Sequence, residues 1–593
     1  MAALFTTPKR NDTTAGTHVA EPDVRRRIGV AHGSWRRVTR RIVVGAVCAL
    51  TVSSLLMPSV SLAAEWVKVG GNKYNTAASD EAGTWSWDGA DDLKLNNYNG
   101  GEIQAAGKLN VNYSGTNIVT AEWIEGINVS HGTNENAELN IQGDAGSTLS
   151  VTSTEDAILS TGNINIDGAG SVNATSTGFD AINAGGDLAI KGSGNVNATG
   201  ASDGIRANGN ITIDDSGAVT ARATEDKGIG TDKNLTIKGG GTVEASSADG
   251  EALWSGGNIN ISDGSQVKAS SEKDAAVEAK GSLAATNASL NVNGVKYGVY
   301  AYKGITLDHA NVTVRAGKGR YGGAIALFTY PGDIVVKNGS TVDAFAEGEV
   351  SAAFSTRSDR PNEEGGHIYI SDSVVKAIAR YVENGDGPIP YSENQDGETS
   401  PEPQGENIGI IAQTSEGVTP AVVSIIRSKV TAEGDTAAIF ARAMSADGKT
   451  IGTIKIENAA IQTPEGGKVI DYRSKEELHD GIVYEAGQTI GMGDVTIDSP
   501  YNEAVAKRAV IAPPEEAKPE VNPAVAKPEV KPAEQQTLVT DAKVKPAEAK
   551  KNLPATGDAS LVGFAATAFA GVAAAFAGLA ALLVGFVARL KRE

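Results

Sequence analysis

Asp187-Leu188-Ala189-Ile190-Lys191-Gly192-Ser193-Gly194-Asn195-Val196-Asn197-Ala198-Thr199-Gly200-Ala201-Ser202-Asp203-Gly204-Ile205-Arg206-Ala207-Asn208-Gly209-Asn210 is one unit of a repeat that fills the middle of the chain. It holds three apolar pairs, Leu188/Ile190, Val196/Ala198 and Ile205/Ala207, each two residues apart and separated by Gly, Asn, Asp and Ser. Alternation over runs this short marks a strand with one buried side, and the intervening residues favour turns. The first pair recurs as Leu139/Ile141, Ile164/Ile166, Ile211/Ile213, Leu235/Ile237 and Ile259/Ile261, so consecutive units start 25, 24, 23, 24 and 24 residues apart. The second pair recurs at Val172/Ala174, Val219/Ala221, Val243/Ala245 and Val267/Ala269, and the third at Ile182/Ala184 and Val277/Ala279. A helical repeat would need longer runs with a 3.6-residue period. Three short strands in about two dozen residues instead predict one coil of a parallel β-helix, with equivalent strands pairing at about 4.8 Å from coil to coil.

The fold class expected is therefore all-β, a parallel β-helix that the crossover rule makes right-handed. Asn163, Asp187, Asn210, Asn234 and Asn258 precede the first strand of successive coils. They either stack into a side-chain ladder or follow the ordinary turn preference of Asn and Asp. Regular coils run over 109–345, starting at Leu109/Val111, and an irregular continuation over 346–510 keeps the strand signal at Ile368/Ile370 and Ile454/Ile456. An insertion at 382–407 carries Pro388, Pro390, Pro401 and Pro403 among many acidic residues, too little apolar surface to order itself. It reads as a tolerated surface insertion or a binding finger.

Residues 511–552 alternate Pro with Lys, Glu and Ala. Such a disordered, polyproline-like linker of roughly 40 residues spans on the order of 100 Å. It leads to Leu553-Pro554-Ala555-Thr556-Gly557, an apolar run at 561–587 long enough for a transmembrane helix, and a basic tail at 588–593 with Arg589, Lys591 and Arg592. This order of parts resembles the sortase-anchored surface proteins of Gram-positive bacteria, whose LPxTG signal is matched at every fixed position. The resemblance implies that sortase attacks the Thr556 carbonyl, cuts before Gly557 and joins Thr556 covalently to peptidoglycan.

At the other end Arg36, Arg37, Arg40 and Arg41 precede an apolar run from Ile42, and Ser61 and Ala63 are small residues at the positions a signal peptidase reads. Cleavage after Ala63 makes 1–63 a signal peptide and removes Cys48, the sole cysteine, so disulfides and thiol chemistry are excluded from the mature chain. The whole chain carries a formal charge of −20; removing +6 for residues 1–63 and +1 for 557–593 leaves −27. Such an acidic surface disfavours nucleic acid as a partner. Only 5% of the residues are aromatic while Gly accounts for 70 of 593, which suits stacked coils better than a large globular core.

Chemistry-bearing patterns are sparse. Gly200-Ala201-Ser202-Asp203-Gly204 matches G-x-S-x-G literally but has no helix after it and no His nearby. His131, His309, His367 and His479 lack metal-ligand spacing; Asp88, Asp91 and Asp92, or Asp214 and Asp215, could gather Ca²⁺ but meet no known loop pattern. No catalytic residue, metal or cofactor is assigned.

The entry segment 64–108 concentrates aromatics: Trp85-Ser86-Trp87-Asp88-Gly89 is followed by Leu93-Lys94-Leu95-Asn96-Asn97-Tyr98-Asn99-Gly100-Gly101. With the β-helix after it, this segment resembles bacterial surface proteins described as containing a carbohydrate-binding domain, over about residues 66–345. Trp85 and Trp87 share one side of a strand. They form either a sugar-stacking platform with Tyr98 or, with Trp66 and Trp123, a plug for the open first coil. The function expected is display on the cell wall, an adhesin contacting glycans or host or neighbouring-cell proteins. A polysaccharide lyase or hydrolase would show carboxylates clustered with Lys or Arg on one strand face, which the sequence does not display, and a passive spacer would have no ligand.

Overall fold

The computed structural model describes residues 63–131, 137–317, 323–358, 365–382, 407–414, 418–443, 452–473, 478–484 and 506–514. Ser61, most of the acidic insertion, nearly all of the Pro-rich linker, the Leu553–Gly557 motif and the apolar run at 561–587 lie outside these residues. Among the described residues there is no helix long and apolar enough to cross a membrane.

The described chain is all-β, and its strands stack into three long sheets. We call them faces I, II and III in the order one coil visits them: Leu188–Lys191, Val196–Gly200 and Ile205–Ala207. Each strand pairs in parallel with its equivalents in the neighbouring coils. Leu188 lies beside Ile164 and Ile211, Val196 beside Val172 and Val219, and Ile205 beside Ile182 and Ile229. The apolar pairs expected from sequence are thus in register and point inward, where Leu188, Ile190, Ile211 and Ile213 are at most 1% exposed. Ala occupies the second place of the face II pairs, at Ala174, Ala198, Ala221 and Ala245, all buried. This is the solenoid geometry that period-2 alternation and a 24-residue step require.

Corners repeat as regularly as strands. The second residue after the inward pair of face I has a positive φ in coil after coil: Gly168 (104°), Gly192 (80°), Asp215 (46°), Gly239 (84°), Asp263 (57°), Asn287 (49°), His309 (50°), Asn338 (55°) and Asp372 (50°). The chain turns there through the left-handed region, where Gly, Asn and Asp are the least strained. His309 is one of these corner residues, its Nδ1 3.0 Å from Asp308 Oδ1.

The ladder at the start of face I exists, in the form of side-chain carbonyls capping backbone donors. Asn163 Oδ1 accepts the Asp187 N–H at 2.9 Å, Asp187 Oδ1 the Asn210 N–H at 2.6 Å, Asn210 Oδ1 the Asn234 N–H at 3.3 Å, and Asn234 Oδ1 the Asn258 N–H at 2.9 Å. Turn preference alone does not produce this coil-to-coil order. A second ladder runs along the outside of face I, where Asn165 Nδ2 donates to Asn140, Asn140 to Asn110 and Asn110 to Asp92, each at 2.8 Å.

At both ends the stacking changes from parallel to antiparallel. Trp66–Val69 pairs antiparallel with Ile103–Ala106, and Trp85–Trp87 with Asp92–Asn96. At the other end Arg508–Ala512 runs antiparallel to Lys429–Gly434 and to Ala460–Thr463. These strands cover open edges that would otherwise pair with other chains. The last of them passes the expected boundary at 510 by two residues. The acidic insertion falls between the face II strand Val374–Tyr381 and the face III strand Asn407–Thr414.

Candidate functional site

The two tryptophans proposed from sequence as a sugar platform do share one side of a strand, but that side faces inward. Trp85 and Trp87 are 7% and 2% exposed, because the antiparallel pairing sets them opposite Leu95 and Leu93 on the core side. Trp85 packs against the Tyr74 ring at 5.1 Å between centroids, and Trp87 Nε1 donates to the Ala90 carbonyl at 3.1 Å. Tyr98 is buried too; its hydroxyl donates to the Gly101 carbonyl at 3.0 Å, and burial pushes the phenol up to about 12. An indole enclosed on both faces has none to offer a sugar ring, so the platform expectation is corrected in favour of the plug. Trp123 is corrected in the opposite sense. It is 84% exposed and takes no part in closing the end, whereas Trp66 is half-buried beneath Lys73.

Asp88, Asp91 and Asp92 do approach one another, with one carboxylate oxygen of each within 4.8 Å of the others. Their loop engages them: Asp88 Oδ1 accepts the Ala90 and Asp92 N–H groups at 2.8 and 3.2 Å, and Asp92 accepts Asn110 Nδ2. Asp214 is paired with Lys238 at 2.8 Å and Asp215 holds a left-handed corner. Ala63, exposed, bridges to Lys108, and Ala64 beside it is buried.

Face III carries the arrangement that sequence reading did not find. Stacking brings the outward residues Arg206, Gly230, Trp254, Glu278, Tyr300 and Phe328 into one column. Glu278 is buried within it, ion-paired with Lys280, whose Nζ also lies 3.2 Å from the Tyr302 hydroxyl and 4.5 Å from the ring centroid. Tyr300 stacks on Tyr302 at 4.6 Å and meets Phe328 at 5.0 Å, while Tyr297 stacks on Phe328 at 5.3 Å. Glu251 shares a hydrogen bond with Glu278, and burial together with that bond pushes its carboxyl up to about 7. Lys227 lies 5.3 Å above the Trp254 ring. The signal was present as the middle residue of the third apolar pair, Val277-Glu278-Ala279, but of its partners only Lys280 is local, while Glu251 and Tyr300 come from the neighbouring coils.

Beside this column a row of aspartates lines the entry to face III. Asp156 Oδ1 accepts the Asp180 N–H at 2.9 Å, Asp180 Oδ1 the Asp203 N–H at 2.9 Å, and Asp203 Oδ1 the Lys227 N–H at 2.6 Å. Burial pushes Asp156 and Asp203 up to about 6 despite these donors. Together with Glu251 they hold protons to higher pH in the folded chain than in the unfolded chain, where carboxyls titrate near about 4. The folded state therefore binds more protons between about pH 4 and 7. The stability they contribute is fully present below the unfolded value and is lost as pH rises through about 6 and 7. Thermal melts should show Tm falling from pH 5 to pH 8, with Glu251→Gln flattening the fall; a wild-type Tm that climbs over that range refutes the assignment.

No protein-family model matches this chain, and no curated protein and no solved structure is significantly similar to it.

Proposed function

We propose that this chain is an exported protein, anchored by sortase to the wall of a Gram-positive bacterium, that displays a right-handed β-helix as an adhesin for glycans or neighbouring proteins. The observation that carries the reading is the order Leu553-Pro554-Ala555-Thr556-Gly557, apolar run, basic tail, preceded by a Pro-rich spacer. One feature of the folded part supports it. Its ends are closed by antiparallel strands, as suits a solenoid that meets its surroundings through its long faces.

The Glu251, Glu278 and Lys280 cluster favours a second reading, a polysaccharide-cleaving enzyme. Display is the better supported of the two, because these groups are spent on one another and on Tyr302, and the groove described below lies on face I rather than beside them. The test of display is fractionation of cells expressing Thr556→Ala. The variant should leave muramidase-released wall fragments for the membrane or the medium, and a variant still found in wall fragments removes sortase anchoring.

A further inference from the structure

The outside of face I carries an open groove of about 580 Å³ that extends over five coils, from Asn163 to Asn260. Its edge is the carbonyl ladder from Asn163 to Asn258, which fixes one polar side chain per coil. Its floor is the outward residue of each strand: Asn165, Ala189, Thr212, Thr236 and Asn260. Ala189 leaves the floor open between two larger neighbours, Asn165 and Thr212, which lie beside it in register. Among the described residues Thr212, Thr236 and Asn260 have no side-chain hydrogen-bond partner, and all three line the groove.

We infer that this groove binds a neutral, hydroxyl-rich glycan chain lying along the solenoid axis, one sugar residue per coil. The inference rests on the display reading and gives it a site. Charge, polarity and repeat length each narrow the ligand. The two charged residues of the lining, Asp187 and Lys191, have opposite signs, so the groove selects neither polyanions nor polycations, and the acidic chain repels the former. Apart from Leu188 and Ala189, the rest of its lining is amide and hydroxyl with no aromatic ring, unlike the apolar pockets that take drug-like ligands. An extended peptide advances about 3.3 Å per residue and falls out of step with coils about 4.8 Å apart, whereas an equatorially linked pyranose advances by nearly one coil step. A chain of about five sugars would therefore meet the same amide edge and hydroxyl floor at every residue. Each contact is weak, and many copies on one surface would add avidity.

The test is binding of soluble neutral β-1,4-linked glucose and N-acetylglucosamine oligomers, from disaccharide to hexasaccharide, to the immobilised full chain. Affinity should rise with oligomer length up to about the pentamer and then level off. Ala189→Trp should fill the floor and weaken binding by about tenfold or more. Thr236→Arg should weaken it by a similar factor, and both variants should melt with the wild type because both positions face outward. Binding unchanged in Ala189→Trp, affinity independent of length, or no binding of any oligomer overturns the groove as a glycan site. Wall fractionation reports separately on display: a wall-anchored protein that binds no oligomer overturns the groove alone, and an oligomer-binding protein never found in the wall overturns display alone.

Discussion

Replacing Ile213 with Asp should lower the melting temperature by about 10 °C or split the transition in two, while Thr212→Asp next to it should melt within a degree or two of wild type. Ile213 is 1% exposed and lies in register between Ile190 and Ile237, so a carboxylate there would be buried without a partner. An unpaired charge together with the lost apolar contact costs on the order of 4 kcal/mol. Coils touch only their neighbours, so one failed coil uncouples the two halves of the stack. Thr212 faces the outside of the same strand, where a charge remains hydrated. Comparable melting of the two variants, followed by circular dichroism, would contradict the register that defines the fold.

The second large effect is expected at the N-terminal end. Trp87→Ala should cost about 3–5 kcal/mol, the range for a large aromatic removed from a packed interior. Adding Trp85→Ala should cost less than a second full increment, since the two indoles lie on the same buried side of one strand. Early melting with unchanged oligosaccharide binding is the expected outcome for the double variant. Lost binding at an unchanged Tm would instead restore these rings as a ligand platform.

Much of the fold was legible because its determinants are local. Leu188/Ile190 and its equivalents carry both the strand period and the coil period, and together these leave one way to stack. The left-handed corners have a local basis too, in Gly168, Gly192, Asp215 and Gly239, two residues beyond each face I pair. What the local pattern does not contain is the direction in which an end strand points. Trp85 and Trp87 alternate as an outer strand would, and only antiparallel pairing with Leu93 and Leu95 turns them inward. Clusters assembled across coils were hidden for a related reason. Glu251, the Glu278–Lys280 pair and Tyr302 belong to three successive coils, and meet because stacking brings those coils together. The groove on face I was half visible, its edge as the Asn163 to Asn258 series; its floor consists of residues that look like spacers between the apolar pairs.

The ladders give the molecule a property that no single coil has. Each coil presents to the next the same strand edges, the same left-handed turn and, over the central stretch, the same side-chain carbonyl reaching for a backbone donor. An in-frame duplication or loss of one 24-residue unit would join like to like on either side of the event, leaving no mismatched seam. Recombination between neighbouring repeats can then adjust reach like the divisions of a ruler, in increments of about 4.8 Å, while the strand register and the corners stay the same.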